Sequence, residues 1–222
     1  METISIIAAA LGAAWASGIN LYATILMLGL MGTTGSIDLP AELEILENPG
    51  VLAAAGLMYC VEFFTDKIPG VDTVWDAIHS FIRIPAGALL AGAAFAQITP
   101  EAELIGLILG GSLSAATHFT KAGTRVLINT SPEPVSNWTA SIGEDIVVVA
   151  GLWTALNYPV LFIVLLVVFV ALLIWLMPKL WRGIRTVFGK IRNWFTKSGS
   201  AAPPTTSKTD RSTKAVDQKF LK

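Results

Sequence analysis

Charge is scarce in this chain: 14% of its 222 residues are Asp, Glu, Lys or Arg, against 54% hydrophobic, and the mean hydropathy is +0.65. Soluble domains carry about 25% charged residues, so this composition excludes an ordinary water-soluble fold and reads as an integral membrane protein. Cysteine is nearly absent too. The single Cys60 cannot form an internal disulfide, and the two histidines stand in no Cys/His spacing that suits a structural zinc ion. There is no phosphate-binding Gly loop, no Gly-x-Ser-x-Gly elbow and no His-Glu-x-x-His, so no enzyme class, catalytic residue, metal or cofactor is supported. The first residues lack the Lys or Arg that starts a signal peptide, so the opening apolar run is expected to be retained.

What is present is an all-α pattern of apolar runs. Six spans are predicted, roughly 5–31, 50–66, 84–98, 102–119, 135–157 and 159–178. The last, bracketed by Pro159 and Pro178, has no charged side chain and suits lipid unaided. Lys179, Arg182, Arg185, Lys190, Arg192 and Lys197 follow it, which predicts a cytoplasmic C-terminus; six spans then put the N-terminus in the cytoplasm as well. On that topology the outer loops hold no Lys or Arg, and all 15 basic residues fall on one side. The expected organisation is a six-span membrane domain over 1–178, a basic amphipathic helix over 179–197 that attracts anionic lipid, and a disordered cytoplasmic tail over 198–222.

Two segments have the look of a repeat. "NPGVLAAAGLMYCVEFF" and "SPEPVSNWTASIGEDIV" each place proline ahead of a helix carrying a glutamate, Glu62 or Glu144. Two three-span halves would be inverted relative to each other, a plan common in secondary transporters; an irregular six-helix bundle is the alternative. The strings "SGINLY", "VEFFTDKIPGVDTVWDAIHSFIRIPAGALLA" and "GEDI" resemble the bacterial membrane family catalogued as domain of unknown function 4126, over roughly residues 10–160. The resemblance implies a multi-pass protein of the bacterial inner membrane and no particular chemistry.

The charges of residues 61–83 are the main puzzle. Glu62 and Asp66 lie at i, i+4 on the second span and share a face. After "KIPG", a short amphipathic interfacial helix is predicted, started by a capping box at Thr73–Asp76, with Asp72, Asp76, His79 and Arg83 on its wet face. Asn20 interrupts the first span. Ser114, His118, Lys121 and Arg125 share a face of the fourth span, while Asn137, Ser141, Glu144 and Asp145 lie on one side of the fifth. Ionisable groups within membrane helices turn inward. Asn20, Glu62, Asp66, Asp76, His79, His118, Lys121, Arg125, Asn137, Glu144 and Asp145 are therefore the candidates for lining a polar cavity, with structural ion pairs as the competing role. Gly106, Gly110 and Ser114, facing Gly87, Ala91, Ala88 and Gly92, predict close packing of the third and fourth spans.

Three functions fit these features. The first is a small transporter or channel for an unidentified solute or ion, with proton coupling through Glu62 and Glu144. The second is a non-transporting scaffold, homo-oligomers included, and the third a lipid-headgroup enzyme using Asp76 and His79. Nothing points to a nucleic-acid partner.

Overall fold

The computed structural model describes residues 3–68, 70–129 and 134–198, with side chains assigned through most of this range up to Thr186. Every regular element among them is helical: α1 (Thr3–Ile19), α2 (Leu21–Thr33), a 3-10 turn (Ala41–Glu47), α3 (Pro49–Thr65), α4 (Val71–Ala96), α5 (Pro100–Ile128), α6 (Pro134–Asn157) and α7 (Pro159–Ser198). Four of these, α4 to α7, are long and apolar enough to cross a bilayer, whereas α1, α2 and α3 are shorter apolar helices. Local chemistry explains the starts. Asn48 and Thr99 cap α3 and α5 by accepting from Gly50 N and Ala102 N, and Pro49 and Pro100 occupy the first helical position, where no N–H is missed.

The first apolar run departs from its expected form. Along α1, Ile6, Ile7, Ala10 and Ala14 pack with Ala91, Ala94, Phe95, Ile98 and Ala102, while Ser17 reaches Gly87. The start of α1 therefore lies beside the end of α4, and the two helices are antiparallel. Along α2 the order is opposite: Tyr22 bonds to His79, and Leu28 packs on Leu90. Since α1 opposes α4 and α2 follows it, α1 and α2 form a hairpin that turns at Asn20. A cavity of about 270 Å³ at its open end is lined by Ser5 and Ile6 together with Ser36, Ile37 and Gln97. A continuous helix would hold Ser5 and Ser36 about 46 Å apart. Both ends of the hairpin sit at one end of the bundle, so the run 5–31 is a re-entrant unit and not the expected first crossing.

From there the helices alternate. Gly29 packs against Leu52 and Gly56 against Leu26, so α3 runs antiparallel to α2. Its end, at Glu62 and Asp66, meets the C-terminal half of α5 through Lys121. α4 returns, α5 descends, α6 returns and α7 descends until Gly183 lies against Leu127 near the end of α5. The end of the bundle that holds the hairpin mouth has acidic loops (Asp38, Glu42, Glu44, Glu47), and its loops 34–48, 97–99 and 158 contain no Lys or Arg.

Two further expectations change. No separate interfacial helix precedes the third span, because α4 is continuous from Val71 to Ala96 with Pro85 inside it. Nor is there a capping box at Thr73–Asp76: the helix starts after Gly70, whose φ of 86° favours glycine, and the Asp72 carboxylate accepts from Gly70 N and Thr73 N. α7 likewise continues through Pro178. The basic face expected over 179–197 falls largely on side chains outside those described, and the tail from 199 onward lies outside the described residues altogether.

Small residues hold the centre together. A Cβ on Gly110 would come within 2.6 Å of Gly87 O, and one on Gly106 within 2.7 Å of Ala91 O, so α4 and α5 touch backbone to backbone as their glycine spacing predicts. Gly18 plays the same part at the hairpin tip, where a side chain would collide with Thr117 and the Ser114 carbonyl.

Candidate functional site

Helical periodicity puts His118, Lys121 and Arg125 on one face of α5, Asp76 and Arg83 on one face of α4, and Glu62 and Asp66 on one face of α3. In the folded chain these faces converge. Lys121 Nζ is the hub: Asp66 Oδ2 lies at 2.9 Å, Glu62 Oε1 at 3.3 Å, Glu144 Oε2 at 3.5 Å and Asp76 Oδ1 at 3.9 Å. Arg83 donates to Glu62 Oε1 at 2.5 Å and to Asp76 Oδ1 at 2.9 Å. Arg125 donates to Glu144 Oε2 at 2.6 Å, and its other arm bonds the carbonyls of Asp66 and Asn137. Seven charged side chains from α3, α4, α5, α6 and the α3 cap thus form one connected network.

The hairpin tip docks onto this network. Asn20 is the one extended residue between α1 and α2, with φ −144° and ψ 98°, and its side chain caps α2 through Ala23 N. Lys121 Nζ donates to the Ile19 carbonyl at 3.1 Å, so the hub lysine also binds the negative end of the α1 half-helix. Asn20 Nδ2 donates to Asp145 at 2.9 Å, and Thr117 Oγ1 donates to the Trp15 carbonyl at 3.2 Å. Non-helical backbone at membrane depth survives only where protein or water satisfies it, and here protein does so.

Histidine protonation follows from the partners. His118 Nδ1 lies 3.4 Å from Arg83 Nη1, which can only donate, so that nitrogen carries no proton and His118 is neutral; its Nε2 sits 2.6 Å from Ser80 Oγ. His79 Nδ1 must donate to the Trp75 carbonyl at 2.9 Å, leaving Nε2 to accept from the Tyr22 hydroxyl at 3.1 Å. His79 therefore stacks on Trp75 and serves the hairpin, apart from the charges. The inventory is four carboxylates (Glu62, Asp66, Asp76, Glu144) against three cations (Arg83, Lys121, Arg125), one negative charge in excess.

Burial is deep but uneven. Six of the seven side chains are 0–5% exposed, and Glu144 is 20% exposed. Among the described residues, Glu62 Oε2, Asp66 Oδ1, Asp76 Oδ2 and the Nε atoms of Arg83 and Arg125 are buried without a hydrogen-bond partner. Towards the end where α4 starts, Asn129 Nδ2 donates to both Asp72 oxygens, at 2.8 and 3.0 Å, and Asn137 Nδ2 donates to Asn129 Oδ1 at 2.9 Å, closing the bundle beneath the cluster.

Of the residues singled out in the sequence, Glu62, Asp66, Asp76, Lys121, Arg125 and Glu144 meet directly. His118 touches Arg83, Asn137 braces Arg125, and Asn20 and Asp145 pair at the rim. His79 stands to one side. The residue overlooked is Arg83, assigned to a wet face yet wholly buried between two carboxylates. Its spacing of seven from Asp76 was the available sign. Asp72, read the same way, is also buried. Tyr22, Ser80, Asn129 and the Ile19 carbonyl had no signal of their own.

No curated protein and no solved structure matches the chain. A family model described as Domain of unknown function (DUF4126) matches residues 7–179, and the chain belongs to that family.

Proposed function

We propose that this protein is a small proton-coupled transporter of the bacterial inner membrane, with the Lys121-centred network as its coupling site in a closed state. The carrying observation is the docking of a re-entrant hairpin, broken at Asn20, onto a buried charge cluster through Lys121 and the Ile19 carbonyl. Helices interrupted next to intramembrane charges are how transporters expose backbone dipoles to their cargo. Five alternating helices and the hairpin then make up the membrane domain. The acidic loops and the start of α1 face outward, and Lys67 with the basic continuation of α7 faces the cytoplasm and its anionic lipid. α3 and α6 run in opposite directions and each brings a glutamate to Lys121, which favours an inverted 3+3 relation between the halves. Glu144, the most exposed acid of the cluster, is the entry point.

The test is electrical. Proteoliposomes on a solid-supported membrane should give a transient current on a pH jump, lost in Glu144→Gln; currents equal to those of protein-free liposomes would reject the reading. A scaffold role is the second reading, favoured by the near-complete burial of the cluster, which would then act as an ion-paired lock. It expects no current and no loss of membrane partners on replacing Glu144.

A further inference from the structure

The excess negative charge needs a counter-charge. Four carboxylates share three cations, and the only histidine in contact, His118, is held neutral by Arg83. A net ionic charge sealed from water is disfavoured by several kcal/mol, and proteins relieve it by binding an ion or neutralising a group. A second observation indicates where. Glu62, Asp66 and Asp76 each spend one oxygen on the cations and leave the other buried and unpartnered, with their residues 0%, 3% and 1% exposed. All three carboxylates surround Lys121 Nζ within 3.9 Å of their paired oxygens. Their free oxygens therefore crowd one small volume. A carboxylate with no donor left to serve it is where an added proton gains most, since the new O–H can be donated to a neighbouring free oxygen.

We propose that the cluster holds one dissociable proton, shared among the second oxygens of Glu62, Asp66 and Asp76, and that this proton completes its charge balance. Glu144 is not the holder, because its charge is met by Arg125 at 2.6 Å and Lys121 at 3.5 Å. A metal ion is a poorer occupant, as no group of three His, Cys, Asp or Glu side chains among the described residues has a metal-binding arrangement. The other ionisable neighbours are accounted for: Tyr22 on α2 and His79 on α4 bond each other, Asp72 on α4 is bonded by Asn129, Lys67 donates to the Phe63 carbonyl, and Asp145 on α6 is bonded by Asn20. This deepens the transport reading by naming the coupled ion and its stoichiometry, one proton per protomer, and rests on that reading only for what the proton drives.

The test reads the proton itself. Infrared difference spectra of the full chain in lipid nanodiscs, titrated from acid to alkaline buffer, should show one carboxylic-acid C=O band that vanishes as pH rises. Glu62→Gln, Asp66→Asn and Asp76→Asn should each abolish it, because an amide replaces the protonated acid and leaves three carboxylates facing three cations. Asp145→Asn should leave it intact. Melting curves run in parallel guard against misfolding: the wild type should lose thermal stability on passing to alkaline buffer, and the three neutralised variants should not. No titrating band, a band lost only in Asp145→Asn, or a band displaced at constant pH by added sodium chloride would overturn the proposal. A band without any pH-jump current would leave the proton site standing and remove the transporter.

Discussion

Replacing a cation of the cluster should be far more damaging than replacing an acid. Arg83 is fully buried and makes ion pairs of 2.5 Å to Glu62 and 2.9 Å to Asp76. In Arg83→Gln both carboxylates lose their nearest cation, and only Lys121, at 3.3 and 3.9 Å, remains for them. The cluster then carries two excess negative charges. Breaking a buried pair by removing one partner costs about 3–5 kcal/mol. For a domain of this size each kcal/mol moves the melting midpoint by about 2–4 °C, so the loss should be roughly 6–20 °C. Asp76→Asn has the opposite arithmetic: Arg83 keeps Glu62, the asparagine still accepts a hydrogen bond, and the excess charge disappears, so stability should change by no more than about 1 kcal/mol. In the double variant, Asp76→Asn should return a measurable part of what Arg83→Gln removes, giving a coupling energy on the order of 1–3 kcal/mol. The assay is thermal unfolding of purified protein in nanodiscs at neutral pH. Equal damage from Arg83→Gln and Asp76→Asn would refute the charge inventory, and with it the neutrality assigned to His118.

Three other outcomes follow from the hairpin and its contacts. Gly18→Val should lower stability by about 1–3 kcal/mol in the same melting assay, since even a Cβ there overlaps Thr117 and the Ser114 carbonyl. Asn20→Ala removes the α2 cap on Ala23 N and the bond to Asp145, and should cost about 0.5–2 kcal/mol, less than Arg83→Gln. On a Cys60→Ser background, cysteines at Thr3 and Ser36 should both react with an impermeant maleimide from the outer side of sealed cells, whereas one at Ser200 should not. Labelling of the Thr3 and Ser36 sites from opposite sides would restore a first crossing helix.

The class of fold was legible because hydropathy and glycine spacing are local. The α4–α5 contact through Gly87, Gly106 and Gly110 could be read from small residues one turn apart, and the helix starts from Asn48-Pro49 and Thr99-Pro100. The hairpin could not. A run of apolar residues looks the same whether it crosses or folds back, and Asn20 alone marks the turn, by a side chain that can cap a new helix as readily as it can bond a neighbour. Arg83 was misplaced for a related reason: amphipathicity divides a helix into two faces without saying what covers the polar one. Here the cover is α3 and α5, which bring their own charges to it, and Pro85, a natural place to end a helix, sits inside α4 instead. The candidate acids were found because each lies at helical spacing from another polar group. The excess of one carboxylate emerges only when the partners are seen together.

The most direct test of the central claim, that the hairpin tip rests on the charge cluster and must leave it for the site to work, is a reversible cross-link. Ser17 Oγ and Ser114 Oγ lie 3.3 Å apart, joining the tip to α5. With Ser17→Cys and Ser114→Cys on the Cys60→Ser background, mild oxidation should form the disulfide in the bilayer and abolish the pH-jump current, and reductant should restore it. Failure of the disulfide to form would contradict the docked hairpin, and a full current in the cross-linked protein would contradict its movement.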